Sequence, residues 1–464
     1  MSLRDLYKEI LPVAIEFLES NSFVDVSKGV HNFTVILRQD PPLITRAQCL
    51  FILPKLQTLL HIDTHDDLLI ETCVCFSHLS SFASDQVYNS GTLIPLIQIL
   101  FKTKNFNVIK YSLSAIFNIV GKSSDYRNDA IESVSLIEQL LYIFDNYDLD
   151  VEEDDNVDFI EQQSLMIFEL YNDNPLVPLY RLLPFLNYFK QWLYIPNYEI
   201  VENTMKTITN ITSIEEGVQC VVENNALIER IVQIINGRND DDQEFINRIL
   251  HPSISTIAHI CKSKSSHIDV IVKLGILETI LSLISHDDST IRYVVYSTIV
   301  NLTSQCTNQI LQTMIDLGYF TTLLNIFEQS TVTIKNEIIA IFFNLISLSS
   351  QLDYLINIGY LQSVTLFLQS FSKKKDFKLV LYSLEIILYR GSLPKENNSK
   401  DKVGSKRELD RIVNSLNPYI KLCKSLQIPK LLNQLFKNTN DKQIKSQIKS
   451  ILEDFNNPNS FVKP

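Results

Sequence analysis

Hydrophobic residues recur at helical spacing along most of this chain. After Gly275, for example, Leu277, Ile280, Leu281 and Ile284 occupy positions i, i+3, i+4 and i+7, which places them on one face of a helix. Polar turns separate such segments, and only 10 glycines and 15 prolines are available to break them. This pattern predicts an all-α fold. No uncharged apolar run reaches the ~18 residues that a membrane-spanning helix requires, so no membrane partner is predicted.

The helical pattern repeats along the chain. The segments VIVKLGILETILSLISHDDSTIRYVVYSTIVNLTS and TMIDLGYFTTLLNIFEQSTVTIKNEIIAIFFNLIS each contain a glycine, an apolar helix, a polar turn and a second helix that reaches Asn301 or Asn344. The period is about 42 residues, which is expected for armadillo or HEAT units. Eight positions, here called the anchor positions, are equivalent to one another: His78, Asn118, Glu169, Asn210, His259, Asn301, Asn344 and Ile386.

A single unit cannot cover its own apolar face, so the units are predicted to stack. The predicted architecture is an armadillo-repeat right-handed superhelix, an α-solenoid, in which the last helix of each unit lines a concave groove. Residues 1–26 are predicted to form an N-terminal capping helix, and 27–455 to form about nine to ten repeats. An acidic insertion at 145–158 and a basic loop at 391–411 interrupt the repeats, and 456–464 are predicted to be a disordered tail. The caps favour a monomer.

Several segments resemble, in the same order, the armadillo domain of the importin alpha family, whose members carry basic nuclear localisation signals. They are YSLSAIFNIVGKSSDYRNDAI, TITNITSIEEGVQCVVENNAL, IKNEIIAIFFN and NPYIKLCKSLQIPKLLNQL, and the resemblance covers roughly residues 27–455. It implies an adaptor that binds an extended basic segment of a cargo protein in its groove, for protein import into the nucleus. It also implies a location in the cytoplasm and the nucleus.

The resemblance further implies a set of peptide-binding residues on the groove-lining helices. An asparagine amide is both a donor and an acceptor, so a row of asparagines can hold an extended backbone without recognising its sequence. In the family, acidic residues nearby pair with the basic side chains of the peptide. The implied peptide-binding residues are Asn118, Asn210, Asn301, Asn344, Glu337 and Glu169. Each asparagine has an alternative role, a bond to the neighbouring repeat alone, and recurrence does not separate the two.

The chain departs from the family in several ways. The family's tryptophan, four residues before each anchor, is absent at all eight positions, and Trp192 lies in a core-like run instead. Lys122 occupies the position at which the family's N-terminal peptide site has an aspartate, which makes a favourable charge pair repulsive. The basic arm that recruits importin beta and the acidic tail that contacts the export factor are also missing. Either another subunit supplies these contacts or this protein does not use them.

These departures support a second hypothesis from a different class. An armadillo scaffold, or a chaperone dedicated to one partner, would keep the fold after losing the recognition of localisation signals. The two hypotheses differ in the ligand, because a signal receptor prefers lysine-rich peptides and binds them less tightly as salt rises.

Charge and motifs restrict the function further. Acidic residues outnumber basic residues by 53 to 41, and the net charge of -12 favours basic protein partners over nucleic acid. No catalytic motif or phosphate-binding loop occurs, so we expect no enzyme activity, no catalytic residues and no cofactor. The run HIDTHDD at 61–67 could ligate a metal, but its place between two helices favours a turn, and no metal site is predicted.

Overall fold

Helices account for the regular structure of the chain. The computed structural model describes residues 3–39, 44–61, 63–132, 135–147, 153–172, 177–237, 242–348, 351–370, 377–392 and 417–456. No strand occurs within these ranges. The predicted all-α solenoid class is confirmed. The chain divides into two compact units, Met1–Ile211 and Thr212–Pro464, which are described separately below.

The described residues of the first unit form eleven helices and two short 3₁₀ turns, Leu179–Arg181 and Leu183–Phe185. The helices are α1 (Leu3–Glu19), α2 (Phe23–Leu37), α3 (Arg46–Thr58), α4 (Asp66–Asn89), α5 (Leu93–Leu100), α6 (Phe106–Val120), α7 (Ser124–Glu132), α8 (Leu136–Asn146), α9 (Asp154–Asn172), α10 (Leu186–Trp192) and α11 (Tyr198–Thr212).

The second unit continues the pattern, with one π-helical turn, Ile246–Leu250, directly before α15. Its helices are α12 (Glu215–Glu223), α13 (Asn225–Asn236), α14 (Gln243–Phe245), α15 (His251–Lys262), α16 (Ser265–Lys273), α17 (Ile276–Leu283), α18 (Ser289–Gln305), α19 (Asn308–Asp316), α20 (Tyr319–Phe327), α21 (Val332–Leu348), α22 (Leu352–Asn357), α23 (Tyr360–Ser370), α24 (Phe377–Ser392), α25 (Pro418–Ser425), α26 (Ile428–Asn438) and α27 (Lys442–Asn456).

The repeating element is a group of three helices. In one group, the first helix α19 is followed by the second helix α20 and the longer third helix α21. Third helices of successive groups pack side by side, as α4 does with α6 in the first unit and α18 does with α21 in the second. We call these helices the third-helix row of each unit. The row comprises α2, α4, α6, α9 and α11 in the first unit, and α15, α18, α21, α24 and α27 in the second.

A residue with positive φ joins the first helix of several groups to the second. Gly275 and Gly318 occupy this left-handed position with φ of 82° and 81°, where a residue with a Cβ is strained. Ser135 and Gln427 hold the equivalent turns with φ of 56° and 58° although they carry side chains. Several third helices then begin at side-chain caps, such as Asp288, whose carboxylate accepts from the backbone N–H groups of residues 290 and 291.

The predicted domain boundaries fall partly outside the described residues. Residues 3–26 hold α1 and the first residues of α2. The described parts of the acidic insertion end α8 and begin α9, and 148–152 lie outside the described residues. Of the basic loop only 391 and 392 are described, as the end of α24, and of the tail only Asn456 is described. The role of each segment stays a prediction.

Buried apolar side chains fill the space between neighbouring groups. Large aromatic residues contribute, and Tyr296 and Tyr319 each donate a hydroxyl hydrogen bond to a backbone carbonyl inside the second unit. All seven cysteines are unpaired, and five of them are buried. Burial raises the pKa of the Cys73 and Cys75 thiols to about 12.

One pair of helices resembles a membrane segment by length and composition. Among the described residues no single helix is long and apolar enough to cross a membrane, but α19 and α20, which meet at a 60° bend, pass this test together. Their apolar residues Leu311, Met314, Phe320 and Leu323 are buried in the second unit.

Candidate functional site

The anchor asparagines tie each third helix to the one before it. The side-chain Nδ2 of Asn118 donates to the backbone carbonyl of Ser77, that of Asn301 to Ala258, and that of Asn344 to Val300, each over 3.0 Å. The three bonds have the same geometry because the three residues occupy the same position in their repeats. The amides predicted to hold a peptide therefore already bond to the backbone of the chain itself.

The two anchor histidines contact side chains rather than a backbone carbonyl. The Nε2 atom of His78 accepts from Arg38 Nε over 3.2 Å, and His259 Nδ1 lies 3.2 Å from Thr212 Oγ1. Asn210 and Glu169 are half-buried on α11 and α9. Ile386 has no polar group, but Arg390, one turn later on α24, donates to the carbonyl of Ser347 over 2.9 Å.

In the first unit, two predicted site residues line one open cavity of about 430 Å³. Asn118 and Glu169 share it with Lys122, the residue that reverses the family's charge. Arg46 and Asp85 also line it, so the cavity holds two cations and two anions. The formal charges that line this cavity therefore sum to zero. Asn210, the remaining predicted residue of this unit, is not among the lining residues.

In the second unit, the predicted residues Glu337 and Asn344 lie on one face of α21, seven residues apart, and Asn301 lies on the adjacent helix α18. The Glu337 side chain is half-buried and forms no ion pair or side-chain hydrogen bond with another described residue. Burial raises the pKa of Glu337 above its ordinary value. A cation placed beside this carboxylate would offset the unfavourable burial of its charge.

A second acidic group lies on this row, and the sequence alone did not indicate it. Glu385 on α24 accepts a hydrogen bond from Gln447 Nε2 on α27 over 3.0 Å, and burial, with a smaller contribution from Asp454, raises its pKa. With Tyr382, which is 46% exposed, Glu385 lines a cavity of about 440 Å³ between α24 and α27. The signal in the sequence was its position directly before the anchor Ile386.

Small side chains occupy three of the positions in the second unit's third-helix row at which the importin alpha family has tryptophan. Ser255, Ser297 and Ala340 occupy them on α15, α18 and α21, and Tyr382 occupies the next one on α24. Small side chains leave the neighbouring amides without the aromatic walls that would hold a lysine stem.

The described residues contain no group of histidine, cysteine, aspartate and glutamate side chains that could hold a metal ion. His61 and His65, which the sequence placed in a possible metal cluster, each lie near the aspartate two residues further on, at 3.3 and 3.8 Å. These contacts are local to the turn between α3 and α4 and the first residues of α4.

The fold and the row of third helices define a class, the helical-repeat solenoids. Comparison with known proteins agrees with this class, and over part of the chain it also gives a match to a protein family. The profile of the family described as "Proteasome non-ATPase 26S subunit" matches residues 175–393, just under half of the 464 residues. The resemblance to importin alpha is supported as far as the helical-repeat fold and no further.

Solved structures show the fold independently of the family profile. The crystal structure of an engineered protein from the Northeast Structural Genomics Consortium aligns with a TM-score of 0.66 over 96% of this chain and 99% of its own, at 14% sequence identity. At this identity the likeness concerns the fold alone. A search of curated proteins found no match.

Proposed function

We propose that this protein is a non-enzymatic scaffold that binds another protein along the third-helix row of its second unit. The observation that carries the proposal is Glu337, a half-buried carboxylate without an ionic partner among the described residues. Tyr293 on α18 and Tyr382 on α24, which are 49% and 46% exposed, lie on the two flanking helices. Exposed tyrosines next to an uncompensated acid suit a protein partner with a basic side chain.

The partner in this proposal is a component of the 26S proteasome. The profile match supports it, because the matched segment 175–393 includes α18, α21 and α24, which carry these residues. The proposal keeps the chain monomeric, without cofactor, and places it in the cytoplasm and the nucleus. A dedicated chaperone of one proteasome component is one form that such a scaffold takes.

A charge-reversal experiment tests the binding face. Purified 26S proteasome is immobilised, and binding of the wild-type chain is compared with Glu337→Lys and with Glu328→Lys. Glu328 is exposed at the end of α20 and is not part of a third helix, so it gives the same change of charge outside the third-helix row. We expect about tenfold weaker binding for Glu337→Lys, and little change for Glu328→Lys. Equal binding by all three chains would remove Glu337 from the site, and absence of binding by the wild type would refute the proteasome partner.

The pH dependence of binding gives a second test. Because the pKa of Glu337 is raised, its carboxylate takes up a proton at a higher pH than an ordinary glutamate does. Binding that needs the negative charge should therefore weaken, as the pH is lowered, at a higher pH than it would with an ordinary glutamate. The Glu337→Gln variant carries no charge at this position, so it should bind weakly at every pH. A wild-type affinity that changes with pH in the same way as that of Glu337→Gln would contradict a role for the charge.

The second candidate function is the binding of a basic localisation segment, as in the importin alpha family, and one observation on the anchor asparagines favours it. The side-chain oxygens of Asn301 and Asn344 accept no hydrogen bond from a described residue, so they could accept from the backbone of a bound peptide. Fluorescence anisotropy of a lysine-rich peptide at low and physiological salt tests it. Micromolar binding that is lost in Glu337→Lys would favour this candidate, and no binding at either salt would exclude it.

A further inference from the structure

The outer face of α8 carries a cluster of tyrosines and acidic residues that lies outside the third-helix row. Glu138, Tyr142 and Asp145 are spaced i, i+4 and i+7, so they lie in line on one face, and all three are exposed. The segment from 180 to 188 runs along this face. We call the group the tyrosine patch; it consists of Glu138, Tyr142, Asp145, Tyr180, Arg181 and Tyr188.

Contacts at both ends hold the segment against α8. At one end, Arg181 Nη1 donates to the carbonyl of Ile131 over 3.0 Å and lies 3.8 Å from Glu138 Oε1. The same arginine donates through Nε to the hydroxyl of Tyr180 over 3.3 Å. At the other end, the hydroxyl of Tyr188 donates to the Asp145 carboxylate. Tyr142 therefore lies between two fixed points.

A buried aromatic cluster supports the patch from below. The ring of Phe144 lies 5.2 Å from the rings of both Tyr188 and Trp192, and 6.2 Å from that of Phe185. Phe144, Phe185 and Trp192 are buried. A surface fixed in this way loses little side-chain freedom when a partner binds, which favours affinity.

The exposed aromatic area is large for one place on the molecule. Tyr180 is 67% exposed and Tyr142 is 50% exposed. Single exposed aromatic residues are ordinary, but exposed tyrosines that share a patch with a fixed arginine have the composition of residues that dominate protein interfaces. Tyrosine supplies a large contact area at a low cost in conformational entropy.

Charge indicates the kind of partner. Arg181 is the one cation of the patch, and it already contacts Ile131 and Glu138. Glu132 at the end of α7 and Glu138 lie near Arg181, and Asp145 lies at the other end of the patch, so this surface carries three exposed carboxylates and one engaged guanidinium. This excess of negative charge disfavours nucleic acid and favours a surface with lysine or arginine side chains.

We propose that the tyrosine patch is a second protein-docking surface, which binds a basic surface of a folded protein. It is independent of the proposed function, because α8 is a second helix and the patch contains no residue of the third-helix row. The two surfaces can therefore be tested, and can fail, separately.

Site-specific photocrosslinking tests the docking surface. The photoreactive amino acid p-benzoylphenylalanine replaces Tyr142 in one chain, and in a control chain it replaces Phe51, an exposed aromatic residue of α3 that belongs to neither proposed surface. After irradiation in an extract of the native cells, adducts are identified by mass spectrometry. We expect one protein adduct specific to position 142, in which the crosslinked peptide lies in a lysine- or arginine-rich surface.

Charge reversal tests whether that adduct arises from a partner bound at the tyrosine patch. Combining the photoreactive residue with Glu138→Lys and Asp145→Lys should lower its yield about fivefold or more, whereas combining it with Glu328→Lys should leave it unchanged. The proposal is overturned if position 142 yields no adduct, the same adducts as position 51, an adduct with a second copy of this chain, or an adduct that survives the reversal. None of these results bears on the Glu337 experiment.

Discussion

At the scale of the residue, the anchor asparagines combine a structural task with a polar surface group. The Nδ2 atoms of Asn118, Asn301 and Asn344 each donate a hydrogen bond to a backbone carbonyl of the preceding third helix. Removing the amide removes this bond between the two helices. A net contribution of about 1 kcal/mol is usual for such a bond. The asparagines therefore stabilise the stack whether or not a ligand is bound.

Substitution of the anchors tests this structural task. Asn301→Ala and Asn344→Ala should each lower the free energy of unfolding by about 1 kcal/mol, measured by urea denaturation. Ser297→Ala is the matched control, because Ser297 lies one turn before Asn301 on the same helix and makes no side-chain hydrogen bond with another described residue. A loss no larger than that of the control would mean that the anchor bonds add nothing to stability.

The anchor His78 makes stability depend on pH. Burial, and then the neighbouring Arg38, lower the pKa of His78. The unfolded chain takes up this proton near pH 6.5 and the folded chain takes it up only at lower pH, so stability should fall as the pH drops below about 7. His78→Asn keeps an acceptor for Arg38 but does not titrate.

The measurement compares the free energy of unfolding at about pH 7.5 and pH 5.5. We expect a smaller loss between the two values for His78→Asn than for the wild type. His251→Asn, at an exposed position on α15, is the control and should keep the wild-type loss. If His78→Asn loses as much stability as the wild type does, the titration belongs to other groups.

The sequence identified the anchor positions but not what their side chains contact. The period of about 42 residues is enough to align Asn118, Asn301 and Asn344. Whether an amide bonds to a peptide or to the helix before it depends on the distance between two helices, and a periodic pattern does not contain that distance. Glu385 was missed for the same reason, because its significance comes from Gln447, 62 residues away.

At the scale of the element, the turn between first and second helices is the most regular feature after the helices themselves. Gly275 and Gly318 hold it with a positive φ, and a Cβ built on Gly275 would meet nothing within 4 Å. Alanine at this position would therefore cost only backbone strain. Ser135 and Gln427 already carry this strain in their own repeats.

Substitutions at these turns should change stability in opposite directions. Gly275→Ala should lower the free energy of unfolding by about 1 kcal/mol, and Gln427→Gly should raise it by roughly 0.5 kcal/mol. Gln427→Ala is the control, since it removes the side chain without relieving the strain. Equal stability of the glycine and alanine variants at 427 would show that the left-handed conformation has no cost there.

The regular helices were predictable and one irregular group was not. The glycine turns and apolar stripes repeat closely enough to predict α17 to α21. Between 177 and 192, however, the chain forms two 3₁₀ turns and the short α10. A proline follows Leu183, and the aromatic side chains of this segment pack against residues that are distant in sequence. No periodic pattern therefore marks this segment, which completes the tyrosine patch.

At the scale of the whole molecule, each group of helices is stabilised chiefly by its neighbours. In the second unit, α21 packs against α18 and α24, the third helices on either side of it. In such arrays a substitution in one repeat changes the local stability of adjacent repeats more than that of distant ones.

Hydrogen exchange should make this locality visible. Asn344→Ala should raise amide exchange in α18 and α21, the two helices that its bond joins, and should leave α26 and α27 near their wild-type rates. Mass spectrometry of peptides from the native protein measures both regions in one experiment. A uniform rise across the second unit would instead mean that the unit opens as a single cooperative block.

The burial of the cysteines has a practical consequence for such experiments. The thiolate is the species that alkylating reagents and oxidants attack, and burial raises the pKa of Cys49, Cys73, Cys75 and Cys423 to between about 11 and 12. In the folded protein these sulfurs should react slowly with maleimides. A cysteine introduced at an exposed position such as 142 could then carry a fluorophore or spin label with few competing sites, which makes the native chain itself a convenient host for distance measurements.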